Sequence, residues 1–168
     1  MRHTLSATAE GQFQADFITQ LAFTADHSLL ATASGDNTLV LWEMSSGNAL
    51  SAPQGGHNGL ITAVQFSPDG QMLATASTDR TLIFWDVPAR QRLAVSLEEH
   101  LDEVSGLAFT ADGYYLASAG ADGQLLEWLA SLEAWQDMAC GIANRELTEA
   151  EWQTYIGEGE VTAVCESY

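Results

Sequence analysis

Apolar and polar residues alternate along this chain in short runs that are separated by turn residues. Between residues 60 and 97 the pattern predicts four strands separated by turns, at 60–66, 72–77, 81–85 and 92–97, with turns at 67–70 and 78–80. The runs LVLW and LIFW, each the third strand of its unit, are apolar at every position. Such runs are typical of a small sheet that is covered on both faces.

The whole pattern recurs every 43 residues without an insertion. Three sets of residues mark the period: Phe23, Phe66 and Phe109; Asp36, Asp79 and Asp122; and Trp42, Trp85 and Trp128. A single unit of this length cannot bury both faces of its sheet, so the units must stack, and the period is one that builds propeller blades. We therefore predict an all-β fold with three blades over residues 1–130. Glu127 replaces Leu41 and Phe84, which indicates a less sealed face on the last blade.

Helical spacing replaces the period after Trp128. Leu132, Trp135, Met138 and Ile142 fall on one helical face, and Thr148 with Glu151 forms a capping box. The sequence thus predicts two short helices in a second region, residues 131–168, whose apolar stripes cover the blades.

The charge of the chain restricts its partners. With 5 Lys and Arg against 23 Asp and Glu, the formal net charge is −18, and there is no Lys. Such a surface repels phosphate backbones, so we expect neither a nucleic acid nor an anionic membrane as partner. No apolar run reaches the roughly 18 residues of a membrane span, and the first residues lack the apolar segment of a signal peptide. The expected location is the cytoplasm.

No metal or cofactor site is predicted. Cys140 and Cys165 have no His at ligand spacing; they could pair with each other if the tail folds back, but in a cytoplasmic protein reduced thiols are expected. The repeated Asp26, Asp69 and Asp112 resemble a carboxylate series for calcium, but each lies in a turn where Asp is favoured for backbone reasons.

One set of residues has the composition of a nucleophilic catalytic site. His57, Thr75 or Ser77, and Asp79 supply an imidazole, a hydroxyl and a carboxylate. The same trio recurs as His100, Ser118 and Asp122, each time with a Trp nearby. A catalyst needs its site once, whereas a structural network repeats with the fold, so the sequence predicts a protein that is not an enzyme.

The repeats resemble those of the WD40 family, which are named for Gly-His near the start of a blade and Trp-Asp at its end. The middle block contains Gly56-His57 and Trp85-Asp86, and the other blocks carry variants of both motifs. The resemblance implies a hydrogen-bonded tetrad of His, Ser or Thr, Asp and Trp in each blade. The matching residues are His57, Thr75, Asp79 and Trp85; His100, Ser118, Asp122 and Trp128; and, with Gln14 in place of the His, Thr32, Asp36 and Trp42.

The segment 135–155 is similar to one that closes many bacterial WD40 proteins. This resemblance implies a bacterial interaction module that serves signalling or complex assembly. Two alternatives remain open at the level of sequence. The chain could be the sensor end of a larger signalling NTPase or protease, or, less favoured, a propeller hydrolase.

WD40 proteins commonly bind peptides or protein loops on the face where the tight turns meet the starts of the first strands, so the resemblance implies a protein or peptide partner. The residues that match this face are Phe17, Thr19 and Gly35, then Leu60, Thr62 and Thr78, and finally Glu103, Ser105 and Ala121. Among them Phe17 and Leu60 are expected to form a modest apolar anchor ringed by polar groups.

The number of blades predicts an assembly. Propellers close with about four to eight blades, so three blocks form an incomplete ring. Residues 5–9 lie one period before the fourth strand of the first block, and the last block ends at its third strand. Two copies are therefore expected to close a six-bladed ring as a homodimer, with each N-terminal strand completing the last blade of the other copy.

Overall fold

The computed structural model describes residues 16–52 and 54–131, and these form three antiparallel sheets without a helix. The first blade contains β1 (Ile18–Phe23), β2 (Leu29–Ser34), β3 (Leu39–Glu43) and β4 (Asn48–Ala49). The second contains β5 (Ile61–Phe66), β6 (Met72–Ser77), β7 (Leu82–Asp86) and β8 (Gln91–Leu97). The third contains β9 (Val104–Phe109), β10 (Tyr115–Gly120) and β11 (Leu125–Leu129). The predicted all-β, blade-like fold is confirmed.

The turn after each first strand shows why the repeat keeps its register. Its last residue has a left-handed backbone, with φ of 59° at His27, 71° at Gly70 and 74° at Gly113. The Asp before that residue accepts hydrogen bonds inside the turn, and Thr24 Oγ1 lies 2.6 Å from Asp26 Oδ1. This bond is the main reason why the pKa of Asp26 falls to about 2. The Asp side chains at these turns thus stabilise the backbone of the turn by accepting hydrogen bonds within it.

Each blade has two faces of different character. On one face, here called the tryptophan face, the Trp of the third strand packs beside the Leu of the second strand, as with Trp42 and Leu30. The other, here called the alanine face, carries two Ala of the second strand. These are Ala31 and Ala33 in the first blade, Ala74 and Ala76 in the second, and Ala117 and Ala119 in the third. Small side chains on one face leave room for the bulky face of the next blade.

The core lies between blades. One buried cluster joins the alanine face of the first blade to the tryptophan face of the second, and it includes Ala33, Leu39, Ile61, Leu73 and Trp85. A second cluster joins the second and third blades in the same sense, with Ala76, Leu82, Phe84, Val104 and Leu116. The first strands β1, β5 and β9 lie side by side on the inner side of the stack.

The outward face of the third blade is open, as Glu127 predicts. Leu125 has 76% of its surface exposed, whereas Leu82, one period earlier, is fully buried. Glu127 is also exposed, whereas Phe84 is 3% exposed. The apolar pattern of a third strand is therefore broken on the face that none of the described blades covers.

Several predictions fall outside the described residues. These are the two helices and the tail within 132–168, both cysteines, the strand at 5–9 and the position of Gln14. Within the described ranges, no helix is long and apolar enough to cross a membrane.

Candidate protein-binding face

The tight turns and the starts of the first strands meet at one end of each blade. A backbone hydrogen bond joins them at the same place in all three: Gly35 N donates to Phe17 O (2.8 Å), Thr78 N to Leu60 O (3.0 Å) and Ala121 N to Glu103 O (2.8 Å). We call this end of the molecule the turn face, defined by those six residues and Leu101. The face is built from backbone bonds, so its shape does not depend on its variable side chains.

Three apolar side chains project from the turn face. Phe17 is 63% exposed, Leu60 is 41% exposed and Leu101 is 72% exposed. Phe17 lies directly over Gly35, because a Cβ atom added at Gly35 would come within 2.8 Å of Phe17 Cε1. Leu101 is absent from the sequence-predicted face; its position directly after His100 is the signal that could have identified it.

The predicted hydroxyl residues lie in different settings. Thr62 Oγ1 donates to the carbonyl oxygen of Val104 in the next blade, so it serves blade packing. Ser105 is exposed. The Oγ1 atom of Thr19 is buried and has no hydrogen-bond partner. The Thr19 hydroxyl is therefore out of reach of a ligand on the turn face, and the Thr62 hydroxyl is already engaged inside the protein.

The rim of the turn face is acidic. Asp16, Asp102 and Glu103 are exposed, and Arg80 on the tight turn of the second blade is the exposed cation nearest to Leu60 along the chain. Exposed apolar groups inside an acidic rim form a surface that suits a segment with an apolar anchor and basic flanks.

Beneath the face, the middle blade contains the four side chains of its predicted tetrad in one hydrogen-bonded chain. Trp85 Nε1 donates to Thr75 Oγ1 (2.9 Å), and that hydroxyl lies 2.8 Å from His57 Nε2. His57 Nδ1 lies 3.3 Å from Asp79 Oδ2. The network assigns the neutral tautomer, with the proton on Nδ1 directed to Asp79 and the Thr75 hydroxyl donating to Nε2.

Thr81 is a fifth member that the sequence reasoning missed. Its Oγ1 donates to Asp79 Oδ1 (2.7 Å) and lies 3.1 Å from His57 Nδ1. The recurrence of Thr one period earlier, at Thr38, is a signal that could have found it, because Thr38 Oγ1 donates to Asp36 Oδ1 in the same way (2.6 Å).

Burial and hydrogen bonding shift two pKa values in this tetrad. Desolvation lowers the pKa of His57 below its usual 6.5 and outweighs the opposing charge of Asp79. Burial alone would raise the pKa of Asp79, but hydrogen bonds from the Thr81 side chain and from Asn58 N hold it below 3.8. The pair is therefore a neutral imidazole beside an ionised carboxylate at neutral pH.

The third blade repeats the tetrad with closer contacts. His100 Nδ1 lies 2.9 Å from Asp122 Oδ2, and both His100 Nε2 and Trp128 Nε1 lie 2.8 Å from Ser118 Oγ. Hydrogen bonds from Gln124 N, then Leu101 N, lower the pKa of Asp122. The bond from Leu101 ties an exposed residue of the turn face to the buried network.

In the first blade the described part of the network is Trp42, Thr32 and Asp36. Trp42 Nε1 donates to Thr32 Oγ1 (2.8 Å), and Asp36 Oδ1 accepts from Thr38 N (3.0 Å). The structure thus brings together every described residue of the two complete tetrads.

These networks have the composition of a catalytic triad but not its accessibility. Thr75 and Ser118 are fully buried, and each hydroxyl already accepts a hydrogen bond from an indole N–H. A nucleophile must reach its substrate, so this arrangement holds the turns in place and does not attack a ligand.

Metal binding and a second cleft were the other candidate sites. No group of three or more His, Cys, Asp or Glu side chains within 16–52 and 54–131 could hold a metal ion. An open cleft of about 470 Å³ lies between the first two blades at the end opposite the turn face, lined partly by Asp26, Asp69 and Arg90. Arg90 is already engaged there, because its Nη1 donates to Leu50 O (3.1 Å).

Comparisons with known proteins agree with this architecture. The family described as WD domain, G-beta repeat matches residues 3–43, 50–86 and 91–128. No curated protein sequence matches the chain. Two similar solved structures are entitled "Structure of U3-55K" (29% identity, TM-score 0.62) and "Crystal structure of RRP9 WD40 repeats" (27% identity, TM-score 0.65). The alignments cover 67% and 75% of this chain but only 36% and 41% of those chains.

Proposed function

Because the chain belongs to the WD40 repeat family, we propose that it is a non-enzymatic scaffold that binds a protein or peptide segment on its turn face. The observation that carries this proposal is the combination of a rigid backbone frame with exposed apolar side chains on top of it. Exposed apolar groups on a preorganised surface bind with little loss of conformational entropy.

The chemistry of the face defines the kind of partner. Leu60 and Phe17 offer an apolar contact, and the surrounding Asp16, Asp102 and Glu103 offer negative charge. A segment with one or two large apolar residues and flanking Lys or Arg satisfies both requirements. The net charge of −18 disfavours a nucleic acid or an anionic membrane as partner.

A selection from a phage-displayed random peptide library tests the proposal. The wild-type chain should enrich peptides with apolar anchors and basic flanks, and Leu60→Ser should weaken their binding at least about tenfold, because it removes a central anchor. Ala111→Ser, a change in an exposed turn at the opposite end, is the matched control. Equal binding by wild type and Leu60→Ser would exclude the turn face as the site, and enrichment of acidic peptides would exclude a partner with basic flanks.

A role in bacterial signalling or complex assembly within the cytoplasm belongs to this proposal, on the basis of the resemblance of 135–155 to bacterial WD40 proteins. The alternative, a sensor end of a larger NTPase or protease, would use the same surface. A hydrolase function is disfavoured by the burial of Thr75 and Ser118.

A further inference from the structure

The tight turn of each blade contains one residue with a left-handed backbone. These residues are Asn37 (φ 66°), Arg80 (φ 74°) and Gly123 (φ 76°). Gly adopts this conformation without a steric cost and Asn tolerates it, whereas Arg is disfavoured there. The middle blade thus has an arginine where the other two blades have residues suited to the turn. Because strained residues concentrate at functional sites, the side chain of Arg80 is a candidate for binding.

A second arginine shows what such a side chain can do. Arg90 also has a left-handed backbone (φ 58°) and lies one period after Gly47 (φ 72°). Its guanidinium donates to Leu50 O (3.1 Å), a contact that ties the second blade to the first. The guanidinium of Arg80 is different, because it forms no ion pair or hydrogen bond within 16–52 and 54–131. Arg80 is also exposed, so a ligand can reach it.

Arg80 lies close to the apolar anchor of the turn face. Thr78 N donates to Leu60 O (3.0 Å), so the loop that carries the anchor lies against the tight turn. Gly59 permits this approach, because a Cβ atom there would come within 2.9 Å of Asp79 N. The guanidinium thus belongs to the turn that supports Leu60, and one short segment can contact both side chains.

Charge alternates across the turn face. One period before and after Gly59 lie Asp16 and Asp102, and both are exposed. The middle blade lacks a carboxylate at this position and has Arg80 on its turn instead. A cation is uncommon in a chain with 5 Lys and Arg against 23 Asp and Glu. Alternating charge favours one register of a bound segment and disfavours the others, because a shift brings like charges together.

We propose that Arg80 binds a side-chain carboxylate of the partner segment, next to the apolar residue that contacts Leu60. This inference rests on the proposed function and specifies the partner further. The segment then has an acidic residue near its apolar anchor and basic residues farther out, toward Asp16 and Asp102. A planar guanidinium binds a carboxylate through two parallel hydrogen bonds, so Arg80 fixes the register of the segment as well as adding affinity.

Parallel selections from one phage-displayed random peptide library, on the wild-type chain and on Arg80→Glu, test this inference. Wild type should enrich peptides of net positive charge that carry Asp or Glu at a fixed spacing from the apolar anchor. Arg80→Glu should enrich Lys or Arg at that same spacing.

One peptide selected on wild type then gives a quantitative measure. It is synthesised with its acidic residue and with the corresponding amide. The amide peptide should bind wild type at least about threefold more weakly than the acidic one, whereas Arg80→Gln should bind the two equally.

Two glycine variants separate binding from backbone strain. Arg80→Gly should lose the preference for the acidic peptide without a fall in melting temperature, because glycine suits the left-handed turn. Arg90→Gly, the equivalent change at the opposite end of the blade, is the matched control and should keep the preference.

The possible failures are distinguishable. Selected peptides without an acidic residue at a fixed spacing overturn the role of Arg80, and so does an equal effect of the amide on wild type and Arg80→Gln. In either case the proposed function stands if Leu60→Ser still weakens binding. Binding that Leu60→Ser leaves unchanged contradicts the proposed function, and with it the position of the carboxylate beside Leu60.

Discussion

The middle and third blades carry the same sequence signature but have different surroundings. Both have a His, hydroxyl, Asp and Trp network with the same connections. Trp85 is nevertheless buried, whereas Trp128 is partly exposed. In the middle blade the strand that carries Trp85 has a fourth strand, β8, beside it, whereas the described sheet of the third blade ends at β11, the strand that carries Trp128. The comparison shows that the tetrad connects the strands of one blade, while the burial of its members depends on the strands and blades beside it.

Three pairs of residues one period apart distinguish the two blades. These are Phe84 and Glu127, Ser77 and Gly120, and Thr81 and Gln124. Exchanging them between blades separates the effects of the local network from those of blade stacking.

The largest effect is expected from Phe84→Glu, which gives the middle blade the residue of the third. Phe84 lies in the buried cluster with Leu82 and Val104, so the change removes its packing and buries a carboxyl group. The free energy of unfolding should fall by about 3–5 kcal/mol or more in urea melts. Glu127→Phe, at an exposed position, should change the stability of the monomer by less than about 0.5 kcal/mol. Similar losses at the two sites would contradict the assigned burial.

The second expected effect is a dependence of stability on pH that comes from the middle blade. The pKa of folded His57 lies below the unfolded value of 6.5, so the unfolded state binds more protons between these two values. Stability is therefore complete above pH 6.5 and decreases as the pH falls toward the folded pKa. The lowered pKa of Asp79 adds a separate loss below pH 3.8.

Thermal melts at pH 7.5 and 5.0, together with an NMR titration of the imidazole protons, measure this effect. The His57 signal should titrate with a midpoint below 6.5. His57→Asn should lower the melting temperature at pH 7.5 and reduce its further fall at pH 5.0. A midpoint at or above 6.5 would show that Asp79, and not burial, dominates the environment of the imidazole.

A third, intermediate effect is expected from Gly120→Ser. Ser77 fits at this position in the middle blade, but a Cβ atom at Gly120 would lie 2.6 Å from His100 Nδ1 and 2.7 Å from Asp122 Oδ1. The closer His–Asp pair of the third blade leaves no room, so we expect a loss of about 1–3 kcal/mol in chemical denaturation. If Gly120→Ser instead matches the wild type, the third-blade histidine can move outward to the 3.3 Å separation found in the middle blade.

The smallest effect is expected from Gln124→Thr, which introduces the hydroxyl of Thr81 into the third blade. Thr81 donates to Asp79 from its Oγ1, and a Thr at position 124 would reach Asp122 in the same way. The melting temperature should rise slightly, and the reverse change, Thr81→Gln, should lower it. An unchanged or lower melting temperature in Gln124→Thr would indicate that the Gln124 N bond already satisfies Asp122 Oδ1.

The sequence by itself determined the repeat, the strands and the tetrads. Strand positions followed from alternation and turn residues, and the strands predicted at 60–66 and 72–77 agree with β5 and β6 within one residue. The tetrad partners followed from the resemblance to WD40 repeats, and their recurrence with the period of 43 residues favoured a structural network over a catalytic site, because a buried indole N–H or imidazole requires a partner. A single residue, Glu127 in place of Leu41 and Phe84, predicted that one face of the last blade is less apolar.

Only the tertiary structure decided which side chains are exposed to a ligand and which are engaged inside the protein. Thr19, Thr62 and Ser105 occupy the same position of the repeat, yet Thr62 bonds to the next blade and Ser105 is exposed on the last of the described blades. Leu101 and Thr81 were missed because their roles depend on the positions of Asp122 and His57, 21 and 24 residues away along the chain. Local pattern fixes the strands and turns of a blade, whereas exposure is a property of the stack, since it depends on contacts between residues about one full repeat apart.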